Sequence, residues 1–304
     1  LEDKPQRKLF FLSLVIALHS AGWRYGLSQF LSSNWTYVLE DGVADQRMLG
    51  TVLQPSAFGV LLLLSVAVFL RGRLYPALAL TVLAATVHPT YLFSAGVLSA
   101  AYLAITWRRD GSPGRALLAG IFALALVAPI LIYTYTIFAG GEPQAAAEAR
   151  HILVTYRIPH HALISWWWDA TAVFKIVMVA AALWLARRAA VFPVLLAGFA
   201  SAVLATGIQA LTGSEALALL FPWRISVLLV PLALGILLGA LVLRIDSVLR
   251  SPSLRRAAAA AAWAAILLAA AVGIARIAID LQRKADNPER PLLAYVRQNL
   301  AAQQ

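Results

Sequence analysis

The sequence predicts an all-α membrane protein, built as a polytopic bundle of transmembrane helices. Three observations lead to this prediction. Of the 304 residues, 61% are hydrophobic and 13% are charged, whereas soluble domains are about half apolar and about a quarter charged. The mean hydropathy is +0.78. Apolar runs of about 20 residues, the length of a helix that crosses a hydrocarbon core, follow one another along the chain.

The apolar runs predict about nine transmembrane helices. The third and fourth runs are short and meet at His88-Pro89. Because proline lacks a backbone donor and disfavours helix at the residue before it, we expect a tight hairpin or a broken helix there, and the loop charges favour the hairpin. The runs cover residues 9–27, 51–70, 74–88, 90–107, 116–138, 163–186, 190–212, 222–243 and 257–281.

Basic residues predict the orientation of these helices. Lys and Arg number 25 against 14 Asp and Glu, a net charge of +11, which in a soluble protein would suggest nucleic acid. Here every second loop is rich in arginine, as is typical of cytoplasmic loops. We therefore expect the N-terminus inside, the C-terminus outside and no nucleic-acid partner. The basic residues of the predicted inner face are Lys4, Arg7, Lys8, Arg71, Arg73, Arg108, Arg109, Arg115, Arg187, Arg188, Arg244, Arg250, Arg255 and Arg256.

We expect the chain to have two parts. Residues 1–281 form the predicted transmembrane domain. Residues 282–304 are charged and become amphipathic after Pro291, so they predict the start of a soluble segment on the outer face. Because the sequence begins with Leu1 and stops soon after this segment begins, we expect it to be part of a longer protein. It contains no cysteine, which excludes disulfides and thiol nucleophiles.

One segment of the predicted outer face, HILVTYRIPHHALISWWWD, combines histidine, arginine and tryptophan beside apolar runs. Polar chemistry beside a membrane span is costly and usually marks a water-filled site or an interface. Arg157 can bond two phosphate oxygens, and His160 or His161 can exchange protons near neutral pH. The alternative is an interfacial belt in which Trp166 and its neighbours anchor the protein at the headgroups. Metal binding by a histidine would need Asp169, His88 or a carboxylate from residues 28–50.

The predicted outer loop 28–50 holds three carboxylates, Glu40, Asp41 and Asp45. Carboxylates beside a glycine suit a general base or a divalent cation, so a divalent cation is the one cofactor that we consider. A solvated outer loop also needs acidic residues, and this simpler interpretation stays open.

Three further residues stand out by their position. His88 at the hairpin and Arg224 at the start of the eighth run each lie at the outer end of a helix. A hydrogen-bonded turn histidine and an arginine that reaches the headgroups are the simpler interpretations, and a phosphate clamp of Arg224 with Arg157 is the alternative. Lys175 falls near the middle of the sixth run, where an ammonium costs about 2.5–3.5 kcal/mol. We expect Lys175 to line a cavity or to form a buried pair with a neighbouring helix.

The order of several short motifs resembles a group of bacterial polytopic membrane proteins related to the GT-C glycosyltransferase superfamily. Gln54-Pro55 opens the second run, and residues 69–73, FLRGR, close it. The His88-Pro89 turn and residues 157–161, RIPHH, follow in the same order. Residues 291–299 also resemble the segment after the last span of GT-C-like proteins. The likeness covers most of the chain.

The resemblance implies a multi-pass enzyme of the bacterial inner membrane that transfers a sugar from a polyprenyl-phosphate donor on the outer face. It also implies a catalytic carboxylate in the first outer loop, where the candidates are Asp41 first, then Asp45 and Glu40. Arg157 and Arg224 would neutralise the lipid phosphate, and one of the paired histidines would orient the substrate or carry a proton. The expected substrate-binding set is Arg157, His160, His161, Arg224, His88, Trp166, Asp169 and Lys175.

Two other functions stay open at this point. A transporter or permease would use Lys175 and Asp169 to line a polar path, and it would show helix breaks in paired, symmetry-related spans. A non-catalytic subunit would pack the alanine-rich helix 257–281 against another membrane protein, because small residues allow helices to approach closely.

Overall fold

The computed structural model describes residues 4–50, 53–138, 142–285 and 289–300, and these residues form helices and loops without a β-strand. The all-α prediction is confirmed. Contacts divide the chain into two compact units, the first made of Leu1–Thr36 with Val242–Gln304 and the second of Tyr37–Leu241. The α-helices of the described residues are α1 (Pro5–Leu18), α2 (Ala21–Phe30), α3 (Val60–Leu70), α4 (Leu74–Val87), α5 (Leu92–Asp110), α6 (Gly114–Phe138), α7 (Pro143–Ile152), α8 (Pro159–Ala162), α9 (Ile164–Trp167), α10 (Ala170–Ala186), α11 (Phe192–Thr212), α12 (Glu215–Ala218), α13 (Ser226–Val248), α14 (Pro252–Ala285) and α15 (Glu289–Leu300).

Five helical segments are long and apolar enough to cross a membrane, judged by length and composition, which indicates a membrane protein. Three further apolar helices, Pro55–Leu70, Leu74–Val87 and Ala170–Ala186, are shorter. The predicted number of about nine spans therefore stays a prediction. The five long segments are Pro89–Asp110, Gly114–Ile137, Phe192–Thr212, Glu215–Val248 and Pro252–Arg283.

The first predicted run, 9–27, is not a single helix. α1 ends at Leu18 and α2 begins at Ala21. Ser20 is the N-cap of α2, and its hydroxyl accepts a hydrogen bond from the Trp23 amide at 3.1 Å. A serine that satisfies a free backbone N–H at a helix start stabilises a boundary there. The apolar pattern continues across this boundary, so it predicted one helix where the chain forms two.

The sixth predicted run, 163–186, begins its long helix later than expected. α10 starts at Ala170 because Asp169 caps it, its carboxylate accepting a hydrogen bond from the Ala172 amide at 2.8 Å. Lys175 consequently lies in the second turn of α10. That Lys175 lies near the middle of a span stays a prediction, and α10 itself is shorter than the predicted run.

The connection at His88-Pro89 joins two helices that pack against each other, as a hairpin requires. α4 ends at Val87, a 3₁₀ turn covers Pro89–Tyr91, and α5 follows directly. The two helices are in contact, and the hydroxyls of Thr81 and Ser99 are hydrogen-bonded between them at 3.1 Å. Such bonds between helices are a common link in apolar surroundings, where few other polar partners exist.

The most buried stretch of the second unit is residues 222–230, the turn before α13 and its first residues. The turn, Pro222–Ile225, packs against α11 and α5. Gly198 of α11 permits this close approach, because a Cβ at that position would lie 3.0 Å from the Ile225 side chain and 3.2 Å from Leu229. The backbone that carries Arg224 is therefore fixed by packing on two sides.

In the first unit, α1 packs against the beginning of α14. Phe10, Val242 and Ala262 form its buried cluster, against which Ala258 and Ala259 also pack. Part of the alanine-rich face of α14 is thus used within the chain itself. In the membrane-length window of α14 only 6% of the residues are buried, so most of this helix presents apolar side chains outward.

Candidate functional site

The acidic loop, residues 37–48, is buried over much of its length although it forms no regular α-helix. Residues 41–44 and Gln46 are buried, whereas Asp45 and Arg47 are exposed. Buried backbone N–H and C=O groups are costly unless they are hydrogen-bonded. In this loop some partners lie within the loop, as the Gln46 carbonyl oxygen does for the Gly42 amide. Others are side chains that come from distant parts of the chain.

Lys175 and Ser226 bond the first part of the acidic loop. Lys175 Nζ donates to the Gly42 carbonyl oxygen at 2.9 Å, and the Val43 amide donates to Ser226 Oγ at 2.7 Å. Lys175 is only 4% exposed, so its ammonium points into the protein. Its partner is a loop carbonyl, and Lys175 therefore anchors the acidic loop. This role differs from both expected roles, which were to line a cavity or to pair with a neighbouring helix.

His161 and Arg224 bond the second part of the acidic loop. His161 Nδ1 donates to the Ala44 carbonyl oxygen at 2.8 Å, and Arg224 Nη1 donates to Gln46 Oε1 at 2.7 Å. Four anchor points on the loop, at residues 42, 43, 44 and 46, are therefore held by α8, α10, the turn before α13 and the first residue of α13. These contacts hold the loop from several sides.

Gly42 lies where the loop backbone passes closest to α13. A Cβ at this position would overlap the Ser226 side chain and would come within 2.9 Å of the Val227 amide nitrogen. Only glycine fits without displacing one of these groups. The close approach of the loop to α13 also brings the Val43 amide to the Ser226 hydroxyl.

Ala44 and Asp45 both have a left-handed backbone, with φ of 58° and 50°. This conformation costs about 1–2 kcal/mol for a residue with a Cβ. The bond from His161 to the Ala44 carbonyl and the bond from Arg224 to Gln46 hold the chain on either side of Asp45. Strained residues that the surroundings hold in place are concentrated at functional sites.

Asp41 is bound to Arg47, six residues further along the loop. Arg47 Nε lies 3.1 Å and 3.0 Å from the two carboxylate oxygens, and Arg47 Nη2 lies 2.7 Å from Oδ2. The guanidinium also stacks over the Tyr37 ring at 4.4 Å. Burial raises the pKa of Asp41, while the bonds from Arg47 act in the opposite direction. The Asp41 carboxylate is therefore occupied by an ion pair within the loop.

Asp45 differs from the other two acidic candidates. It is exposed at the bend of the loop, and no hydrogen bond or ion pair of its side chain is found within the described residues. Glu40 is half-buried and makes contacts of its own. Of the three predicted carboxylates, Asp45 is the one with an oxygen available to an incoming group.

Arg224 is buried beside an aromatic ring and a histidine. Its guanidinium carbon lies 4.7 Å from the centre of the Tyr91 ring, and the His88 ring meets the same ring edge-on at 5.5 Å. Burial and the charge of Arg224 lower the pKa of His88. Arg224 is 7% exposed, so the expectation that it reaches the headgroups does not describe its position.

Three buried N–H donors lie on residues of this cluster without a hydrogen-bond partner among the described protein atoms. They are Arg224 Nε, Gln46 Nε2 and Trp223 Nε1. Arg224 and Gln46 are bonded to each other, and Trp223 precedes Arg224 in the chain. Buried polar atoms are seldom left unpaired. All three are donors and one belongs to a cation, so each can be satisfied only by an acceptor, and Arg224 best by an anion.

The paired histidines lie next to the acidic loop. The rings of His160 and His161 are 4.1 Å apart, centre to centre, and His161 also meets the Phe221 ring edge-on. Burial lowers the pKa of His161, while its bond to Ala44 acts in the opposite direction. A neutral imidazole that donates through Nδ1 keeps Nε2 as an acceptor.

The other members of the tryptophan-rich segment, residues 151–169, differ in their exposure and contacts. Arg157 is exposed at the end of a π-helical turn, and the described part of the chain offers it no hydrogen bond or ion pair. Trp166 is 63% exposed, as an interfacial anchor would be. Trp167 is buried against Trp223, with ring centres 6.0 Å apart. Asp169 caps α10 and adds a favourable charge near Lys175.

No group of three or more His, Asp or Glu side chains in the described ranges is arranged to hold a metal ion. The three carboxylates of the acidic loop do not converge, because Asp41 turns to Arg47 while Asp45 points outward. The described residues thus offer no ready-made set of ligands for the divalent cation considered above.

Sequence reasoning missed several residues of this site. Gln46, Ser226 and Tyr91 were not singled out, although each is buried and contacts the loop or Arg224. Arg47 was visible six residues after Asp41, and its charge could have suggested the pair. Nothing local marks Ser226 as the partner of a residue 183 positions away.

Comparisons with protein-family models, with curated proteins and with solved structures give no match for this chain. The site consists of one exposed carboxylate on a strained bend, beside buried donors and cations. Such an arrangement can bind an anion and can accept a proton from a neighbouring hydroxyl.

Proposed function

We propose that this chain is a multi-pass protein of the bacterial inner membrane that transfers a sugar from a polyprenyl-phosphate donor at the outer face. One observation carries the proposal. The acidic loop presents Asp45 outward, while buried donors on Arg224, Gln46 and Trp223 lack partners among the described atoms. A base next to an anion site is what transfer from a phosphate-linked donor needs.

In this proposal Arg224 binds the lipid phosphate. Its Nε, with the amide of Gln46 and the indole N–H of Trp223, offers hydrogen bonds to phosphate oxygens in surroundings from which water is largely excluded. Hydrogen bonds between charged groups are strongest under these conditions. The polyprenyl chain would lie along the apolar helices, so the donor would enter sideways from the bilayer.

The proposed sugar transfer uses two groups, the Asp45 carboxylate and the Arg224 guanidinium. The Asp45 carboxylate takes the proton of an acceptor hydroxyl, and the hydroxyl oxygen forms a bond to the anomeric carbon of the sugar. The bond between that carbon and the phosphate oxygen breaks, and the electron pair leaves with the polyprenyl phosphate. Arg224 stabilises the negative charge that grows on the departing phosphate. His160 lies beside the site and would orient the phosphate or carry the proton away.

The contacts of the acidic loop favour Asp45 over Asp41 as the base. Asp41 shares its oxygens with Arg47, so a proton transfer to it would weaken an ion pair that stabilises the loop. Asp45 has no such partner within the described residues. Arg157 enters the proposal only as an outer contact for the donor, because it is exposed and is bonded to no member of the loop cluster.

The test is the activity of Asp45→Asn in reconstituted vesicles. We expect the release of polyprenyl phosphate from a panel of polyprenyl-phosphate-linked sugars to fall by about 10²–10⁴-fold, the usual contribution of a general base. Asp110→Asn is the matched control, because Asp110 is exposed at the end of α5, on the predicted inner face. Unchanged release with Asp45→Asn, from a panel that the native chain does use, would exclude Asp45 as the base.

A non-catalytic subunit is the second candidate, and one observation favours it. The membrane-length window of α14 is only 6% buried, which leaves an apolar face for another membrane protein as well as for lipid.

The transporter alternative has less support, because Lys175 bonds the Gly42 carbonyl and Asp169 caps α10. Activity of the purified chain by itself separates the enzyme from the subunit.

A further inference from the structure

A second pocket lies outside the acidic loop, with a volume of about 310 Å³. Thr155 lines it from the π-helical turn, Ser165 from α9 and Gln209 from the end of α11, and Ser214 and Glu215 line it from the start of α12. None of these residues bonds the acidic loop. Pockets of this size accommodate a small ligand.

The floor of this second pocket is apolar and well packed. Val154, Ala162 and Ala218 form a buried cluster there, with Leu163 and Leu219 packed against it. Val154 and Ala218 also line the pocket. A small apolar floor under a polar rim suits a ligand with one C–H face and several polar edges.

Two hydrogen bonds fix acceptor groups on the rim. Gln209 Nε2 donates to the Ala162 carbonyl oxygen at 2.7 Å, which orients the side-chain amide and leaves Oε1 as an acceptor. Glu215 Oε1 accepts from His151 Nδ1 at 2.7 Å, which leaves the second carboxylate oxygen as an acceptor. Both groups are thus oriented before a ligand arrives, which lowers the entropy cost of binding.

The remaining polar groups of the second pocket are hydroxyls, on Thr155, Ser165 and Ser214. Hydroxyls both donate and accept, so they pair with the hydroxyls of a ligand. No Lys or Arg lines the pocket among the described residues, so an anion would find no counter-charge there. We infer that this pocket binds a neutral sugar residue, held by its hydroxyls against Glu215, Gln209 and the rim serines. The inference concerns binding only and does not depend on the transfer reaction.

The experiment measures saturation-transfer NMR of glucose, galactose and N-acetylglucosamine with the full chain in nanodiscs. We expect at least one sugar to bind the native chain. Glu215→Gln should weaken binding about tenfold or more, as loss of a charged hydrogen-bond acceptor typically does. Ser165→Phe should abolish binding, because Ser165 is exposed and the larger ring would fill the pocket. Glu148→Gln, an exposed glutamate on α7, should change nothing.

Three results would overturn the inference. The first is that none of the three sugars binds the native chain. The second is that a sugar binds Glu215→Gln and Ser165→Phe as well as it binds the native chain, which would place the sugar elsewhere. The third is that ethanolamine binds in a Glu215-dependent way while the sugars do not, which would make the pocket an ammonium site. All three are independent of the activity of Asp45→Asn.

Discussion

At the scale of single residues, Ser226 satisfies two buried backbone groups at once. Its hydroxyl accepts from the Val43 amide at 2.7 Å and donates to the Trp223 carbonyl oxygen at 2.5 Å. Ser226 is 1% exposed, so water cannot replace it. The bond to Val43 joins the acidic loop to α13, whereas the bond to Trp223 stays within one turn.

Ser226→Ala should lower the free energy of unfolding by about 1–3 kcal/mol, because it leaves the Val43 N–H buried without a partner. Denaturant titration in detergent measures this change. The matched control is Ser247→Ala, since Ser247 is exposed and makes the same kind of local bond, to the Arg244 carbonyl oxygen at 2.6 Å. Equal effects of the two substitutions would show that the loop contact adds no stability.

The histidines of the site make its stability depend on pH. Burial lowers the pKa of His161 below its ordinary value of 6.5, with His160 and Arg224 adding to the shift and Asp45 and the Ala44 bond opposing it. A lowered pKa means that the folded chain binds the proton less readily than the unfolded chain. The resulting stabilisation is complete above about pH 6.5 and is lost as the pH falls through the folded-state pKa.

His161→Gln should therefore reduce the dependence of the unfolding temperature on pH between about pH 5 and about pH 7.5. The glutamine amide can still donate to Ala44, so the loop contact is retained in part. Thermal unfolding of both proteins at the two pH values measures the effect. His19→Gln, at a histidine that bonds the Val15 carbonyl oxygen and is no member of the loop cluster, is the control. The same pH dependence in the native chain and in His161→Gln would show that His161 is not the source of the pH dependence.

At the scale of elements, the acidic loop depends on one glycine for its approach to α13. Gly42→Ala would drive a methyl group into Ser226 and the Val227 backbone, and such overpacking typically costs about 1–3 kcal/mol. We expect lower stability and, under the proposed function, lower activity. Limited proteolysis of the loop together with denaturant titration tests this. Gly239→Ala in α13 meets no atom within 4 Å and should be neutral or slightly stabilising.

The elements also show how far the sequence could predict this molecule. Apolar runs predicted the helices because burial in a membrane or core depends on local composition. The cap at Asp169 was predictable too, because an aspartate directly before an apolar run is a common helix start. The anchoring of the acidic loop was not, since its partners are between 117 and 183 residues away. The sequence placed Asp41 first among the candidate bases. Its pairing with Arg47 was not predicted, because that pairing depends on the geometry of the loop.

At the scale of the whole molecule, ion pairs within the first unit bear on which segments share one side of the membrane. Asp246 is bonded to Arg7 at 2.8 Å and lies 3.5 Å from Arg255. These residues belong to two segments that the charge pattern assigns to the same, inner side. Their contact agrees with that assignment, because segments on opposite sides of a bilayer could not meet.

Single cysteines test the orientation cleanly, because the chain has none of its own. Ser165→Cys should react with a membrane-impermeant maleimide in intact spheroplasts, whereas Ser112→Cys should react only after the membrane is opened. Both serines are exposed, so access to the reagent decides the outcome. Labelling of Ser112→Cys in intact cells, with Ser165→Cys protected, would reverse the proposed sidedness.

The distance along the chain between the acidic loop and its anchors has a consequence for biosynthesis. The Val43 amide can bond Ser226 only after the ribosome has added the 183 residues between their positions. At a synthesis rate of about 5–20 residues per second this takes about 10–40 s. During that interval the loop has left the ribosome while its last partner has not been made. A proteolytic site or a chaperone contact within residues 41–46 would therefore be open in the nascent chain and closed in the finished protein.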